Sequence, residues 1–305
     1  ERFLSKSSRA FRYLSSSVNS AFSIKSNWQE GVNNTVNNYD SNKNPHPKYG
    51  THITGSKQGN NGFDATPTGN SSLFTWEINS NSWKAIANTD QSKLQVGKGY
   101  SLLVRGDRST NIYSSNSAYT GSTTLRITGS LAFGDIDMSD ELNKTPNGFT
   151  LIGNPYQAPV DMKQTLLEGS SQIKKNFYYV WSPALQTRGG YITVDTDSEP
   201  VEYIPSALGP ETNSNQNYRY IQPNQSVFIE TSSTANDGNQ PSLIFKETYK
   251  SNNSISNEAY GSPEEISKID LTLIRNEDDQ VVDGVRFKFS DNYQNEINQN
   301  DATKV

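Results

Sequence analysis

The sequence predicts an all-β chain of tandem, jelly-roll-like β-sandwich modules with few short helices. Three observations predict it. Short apolar or alternating runs are separated by Gly, Asn, Asp and Pro, the signature of strands and turns. Helical periodicity is scarce. A set of four elements occurs twice in the same order, which reads as an internal duplication.

The first element of each copy is Phe11-Arg12-Tyr13-Leu14-Ser15-Ser16-Ser17-Val18, echoed by Phe149-Thr150-Leu151-Ile152-Gly153-Asn154-Pro155-Tyr156. A Trp strand follows, Ser72–Glu77 in one copy and Phe177–Ser182 in the other. Next comes a turn leading into an apolar strand, Val96–Val104 and Gln222–Ile229. A last strand closes each copy, Thr124–Ile127 and Ser242–Phe245. Further strands are expected over Tyr100–Arg105, Thr123–Thr128, Gly190–Val194, Ser226–Glu230 and Ser242–Lys246. Lys268–Arg275 and Gly284–Phe289 form an expected hairpin around Glu277-Asp278-Asp279. One short helix is expected over Val160–Glu168, capped by Asp161 and stopped near Gly169. A weaker helical signal is Pro263-Glu264-Glu265-Ile266.

The copies differ in their insertions. Tyr13 to Trp76 spans 63 positions (76 − 13), against 30 from Leu151 to Trp181 (181 − 151). The extra length falls in Asn27–Ser71, and in the second copy after the Trp strand, through Asp195–Asn217. Insertions in loops cost little stability and are where binding function tends to appear. The expected divisions are residues 1–140, a first sandwich repeat carrying the long Asn/Gly-rich insertion; 141–250, the second repeat; and 251–305, a linker with a partial third β segment.

Composition narrows the function classes. The 305 residues include 32% hydrophobic and only 19% charged side chains, with 16 Tyr, 12 Phe and 4 Trp. Aromatics bury much area per residue, so a thin core wrapped in polar loops is expected. A net charge of −5 lacks the clustered Lys and Arg that nucleic acid requires. There is no Cys, which excludes disulfides and Cys-based zinc sites. No run of about 18 apolar residues is present to cross a membrane as a helix. The chain opens Glu-Arg-Phe, without an initiator Met or a signal peptide, and is expected to be a piece of a longer protein.

Catalytic signals are weak. The two His are His46, between Pro45 and Pro47 in a loop, and His52. No Gly-x-Ser-x-Gly elbow accompanies them, so a nucleophilic hydrolase would need His52 with an unrelated Ser and Asp. Glu30, Glu77, Glu202 and Glu230 are isolated and do not form a glycosidase pair on one strand. Gly97-Lys98-Gly99 lacks the helix of a phosphate loop and reads as a tight turn. Asp135-Ile136-Asp137 and Asp195-Thr196-Asp197 place oxygen ligands at alternate positions; Asp135, Asp137, Asp195 and Asp197 are candidate Ca²⁺ ligands, with a solvated turn as the alternative. Trp76 and Trp181, equivalent in the two copies, read as core residues. Trp28 and Trp83 lie among polar neighbours and are candidates for stacking on sugar rings, with half-buried packing as the alternative.

Phe149 through Asp161 is similar to a signature of large secreted and cell-surface proteins of Bacteroidota, in which Leu-Ile/Val-Gly-Asn-Pro-Tyr-Pro-Ser leads into Ile-Asp. Here Gln157-Ala158-Pro159-Val160-Asp161 departs mildly from it. Phe11–Ser16, Asn27–Gly31, Gly50–Gly55, Gly62-Phe63-Asp64, Gly99–Asp107 and Tyr191–Val194 extend the resemblance over most of residues 3–250. Val285–Phe289 and Asp301–Lys304 resemble the stretch before the C-terminal sorting domain of such proteins. The resemblance implies export by the type IX secretion system to the cell surface or medium, in company with gliding adhesins, and carries no catalytic residues. The expected function is a non-enzymatic, extracellular structural or adhesive module of a bacterial surface protein. Its partners would be outer-membrane secretion or anchoring machinery, neighbouring modules, and surface glycans. The rival expectation is a carbohydrate-binding module of a secreted polysaccharide-degrading protein.

Overall fold

The computed structural model describes residues 1–4, 7–8, 10–36, 42–113, 119–183, 185, 189–198, 201–204, 218–251, 267–277, 280–289 and 301–302. The fold is all-β and sandwich-like, with two short α-helices among the described residues. It forms two compact units whose chain segments interleave. The first holds Glu1–Phe133, Leu151–Gln157 and Pro223–Ser226; the second holds Gly134–Thr150, Ala158–Gln222 and Val227–Val305.

In the first unit, strands β1 (Ala10–Leu14), β2 (Leu73–Glu77), β3 (Ser82–Ala85) and β4 (Tyr100–Val104) make an antiparallel sheet of order β1-β4-β2-β3. Register places Leu14 opposite Tyr100 and Leu73 opposite Leu102. Because side chains alternate across a strand, these residues share one face. That face packs into a core with Ile24, Trp28, Ile53, Phe63 and Leu94. The other face carries an aromatic row. Phe11 meets Phe74 at 6.0 Å, Trp76 meets Trp83 edge-on at 5.2 Å, and Tyr13 lies 5.3 Å from Trp83.

The second sheet comprises β5 (Phe149–Gly153), β6 (Phe177–Ser182), β7 (Gly190–Asp195), β8 (Glu202–Ile204) and β9 (Ser226–Glu230), in the order β5-β9-β6-β7-β8. Its first four strands repeat the order of the first sheet, copy for copy. The aromatic geometry repeats as well. Phe149 meets Tyr179 at 5.7 Å where Phe11 meets Phe74, and Trp181 meets Tyr191 edge-on at 5.0 Å where Trp76 meets Trp83. The duplication therefore extends to pairs of rings. Trp76 and Trp181 are equivalent as expected, but both are half-buried and neither is a core residue. The strand alternation that sends Leu73 inward sends Trp76 outward.

Helix α1 (Ile24–Trp28) is capped by the Ser23 side chain, which accepts from the Ser26 N–H. Helix α2 (Met162–Gly169) starts on Asp161, whose carboxylate accepts from the Gln164 N–H, and ends at Gly169, as its sequence predicts. The expected helix at Pro263–Ile266 lies outside the described residues. The expected C-terminal hairpin is present as β10 (Ser267–Ile274) and β11 (Val281–Phe289); of its turn, Asp278 and Asp279 lie outside the described residues.

The Gly-Asn-Pro phrase has a structural role inside the first unit. Gly153 donates its N–H to the Gly97 carbonyl at 2.7 Å, and Ser15, its counterpart in the first copy, donates to the Asn224 carbonyl at 3.0 Å. Gly97 and Asn224, the two acceptors, are themselves counterparts and both have left-handed backbone, φ 72° and 58°. Asn154 Oδ1 accepts from the Tyr156 N–H as Ser16 Oγ accepts from the Val18 N–H. Buried Ser17 donates to Asn224 Oδ1 and buried Ser226 to the Leu14 carbonyl. The run of buried serines is thus hydrogen-bonded, as buried hydroxyls must be.

Candidate functional site

The long insertion of the first copy is a folded element. Trp28, Ile53 and Phe63 from it enter the core, and Asn33 donates to the carbonyls of Gly59 and Phe63, 2.8 Å each. At its base lies a charged cluster sealed from water. Asp64, His52 and Arg108 are each 0% exposed. The Arg108 guanidinium forks onto both Asp64 oxygens, at 2.8 and 2.9 Å. Asp64 also accepts the backbone N–H groups of Asn34 and Ile53. Arg108 also donates to the carbonyls of Lys43 and Thr51. The His52 ring sets Nδ1 at 3.2 Å from Asp64 and Nε2 at 3.0 Å from the Arg108 carbonyl. Burial alone pushes the Asp64 carboxyl up, but contact with His52 and Arg108 outweighs it and holds the group well below the usual carboxylate range.

This cluster fixes a surface lip. Lys43, Pro45, His46, Pro47 and Lys48 are exposed. Both flanks are tied down. Lys43 donates its N–H to Asn34 Oδ1, and Lys48 donates its N–H to Asp107 at 2.7 Å. Beyond Lys48, Gly50 and Thr124 pair through the backbone, and Arg126 lies 4.2 Å over the Tyr49 ring while ion-paired to Glu30. Prolines on both sides of His46 restrict the backbone further. The result is an exposed polar segment, hydrogen-bonded at Lys43 to Asn34 and buried Arg108 and at Lys48 to Asp107.

The residues singled out from sequence fall in different environments. Trp28 is 1% exposed and packs edge-on against Tyr100 at 5.6 Å, so it offers no ring face to a sugar. This corrects the expectation built on its polar neighbours. Asn27 turns its side chain back on the Ser20 hydroxyl and Ser23 carbonyl, and Gln29 donates to the Gly62 carbonyl. Trp83 is 36% exposed, on the outer aromatic row of an edge strand. His52, the one residue around which a hydrolase was conceivable, is enclosed behind the Asp64–Arg108 pair.

Three of the four candidate calcium ligands accept hydrogen bonds from backbone N–H groups. Asp135 Oδ1 accepts from the Glu247 N–H at 3.1 Å. Asp137 Oδ1 accepts both the N–H and the hydroxyl of Ser139, which holds its carboxyl below the usual range. Asp195 Oδ1 caps the Asp197 N–H at 3.0 Å, and Asp197 is exposed. Among the described residues no three acidic, His or Cys side chains converge as a metal would require. The solvated-turn alternative fits these aspartates better.

Among the described residues no helix is long and apolar enough to cross a membrane. Comparison with known protein families, with curated proteins and with solved structures finds no match for this chain.

Proposed function

We propose that this chain is a non-enzymatic extracellular module of a large bacterial surface protein, in which a duplicated β framework presents loops for adhesion. The observation that carries the reading is the lip at Lys43–Lys48, exposed at its tip and held at its base by the buried Asp64–Arg108 pair. A rigidly held loop keeps its binding conformation in advance, which lowers the ordering cost of contact. The resemblance of the Phe149–Asp161 phrase to type IX secreted proteins of Bacteroidota supports an extracellular setting, with secretion or anchoring machinery and adjoining modules as partners.

The test is attachment of beads coated with the purified chain to cell or mineral surfaces. Replacing Pro45-His46-Pro47-Lys48 with Gly and Ser leaves the circular dichroism and melting curve intact and abolishes attachment. Equal attachment by the replaced chain removes the lip from the reading. Loss of surface display in a type IX secretion mutant of the host bacterium checks the export half independently.

A second reading, a carbohydrate-binding module, is favoured by Trp83 alone. Its ring is partly open beside Tyr13 and Trp76, the kind of platform on which a sugar ring stacks. A glycan array answers it: saturable binding lost in Trp83→Ala supports this reading over protein adhesion, and an array without signal rejects it.

A further inference from the structure

The C-terminal hairpin is inside out. Ile269, Leu271 and Leu273 on β10 and Val285 and Phe287 on β11 share one face, since Ile269 pairs with Phe287 and Leu271 with Val285. All five are exposed, from 47% at Val285 to 61% at Leu273. The opposite face carries a forked ion pair, Arg286 onto Asp270 at 2.5 and 2.9 Å, and there the Arg286 side chain is only 5% exposed. In water an antiparallel ribbon covers its apolar face and wets its polar one. A two-stranded ribbon with its apolar face exposed is barely stable by itself.

We propose that this face is a self-association surface, covered by the same face of a second copy of the chain. Three features select that occupant. The five residues at its centre include no charge, so apposing the face with itself brings no like charges together; Asp283, opposite Leu273, sits at its end. The face lacks the Lys and Arg that would draw a hairpin onto anionic lipid headgroups. Five half-open side chains of this size present roughly 450 Å² per copy, or about 900 Å² in a face-to-face pair, the range of small, weakly held interfaces. Two flat faces of alternating strands pack as the halves of a sandwich, about 10 Å apart. Leu271 at the centre of one copy then meets the centre of the other. The pairing is isologous, a closed dimer of modest affinity.

The absence of native cysteine makes the test direct. In the 305-residue chain, Leu271→Cys forms a disulfide-linked dimer under mild oxidation, whereas Thr272→Cys on the opposite face does not. Sedimentation shows the wild-type mass rising toward twice the monomer with concentration, and Leu271→Asp weakens association at least tenfold. Circular dichroism confirms that the framework survives the substitution. Equal crosslinking at 271 and 272, crosslinking at neither, or a dimer indifferent to Leu271→Asp overturns the proposal. So does a monomer in which Leu271→Cys is shielded from a thiol reagent, because another part of the same chain would then cover the face.

Discussion

Asp64 sits where an isolated carboxylate would be costly, and two backbone N–H donors with a forked guanidinium make the position tenable. Removing one partner of a buried pair costs about 3–5 kcal/mol, because the remaining charge is stranded. Arg108→Met is expected to lose stability on that scale in urea unfolding of the intact chain. The pH dependence has a definite sign. The folded carboxyl titrates below its unfolded value of about 3.9, so its contribution is complete above about pH 4 and is lost as pH falls further. The urea midpoint of the wild type should therefore decline on acidification below pH 4, and that limb should flatten in Asp64→Asn. Trp28→Ala should cost about 3–5 kcal/mol, the range for emptying a core aromatic site, while Trp83→Ala at the rim should cost clearly less. None of this was legible in the sequence. Asp64 and Arg108 lie 44 positions apart with no periodicity to link them. For Trp28 the packing alternative holds, since its polar neighbours Asn27 and Gln29 turn to groups of the chain rather than to water.

At the scale of elements much more was legible. The order of the four repeated strands, the cap at Asp161 and the stop at Gly169 follow from local pattern, and local pattern is what short elements obey. What the pattern could not convey was which face of the Trp strands turns inward, since the two faces of a strand are distinguished only by what packs on each. The repeated phrase also proved to be about backbone approach. A Cβ on Gly153 would stand 2.1 Å from the Ser15 Cβ, and one on Gly99 would stand 2.3 Å from Leu151 Cγ. Neither separation is tolerable without backbone movement, so Gly153→Ala and Gly99→Ala should each lose roughly 1–3 kcal/mol, typical of overpacking. Thermal melts of the two variants check this; unchanged melts would mean that these glycines are replaceable. The structure supplies a reason for the glycine of this phrase.

For the whole molecule, composition alone pointed to a chain that closes without disulfides, and the buried ion pair and aromatic rows show what takes their place. The acidic loops were read as candidate calcium sites or solvated turns; since each candidate carboxylate accepts a backbone N–H or stands exposed, the melting temperature should be the same within about 1 °C in calcium and in chelator. A clear rise with calcium would return Asp135, Asp137, Asp195 and Asp197 to consideration. Domain boundaries were the least legible feature, because a break read along the chain cannot show that two later segments return to an earlier unit. That return also sets an order in time. Leu151–Gln157 and Pro223–Ser226 complete the first unit, and on a ribosome the last of them arrives ~90 residues after Phe133, a delay on the order of 5–20 s at usual synthesis rates. Until then Ser15 lacks its acceptor and the edge beside it stays open. A nascent chain stalled before residue 223 should accordingly be the form that needs a chaperone.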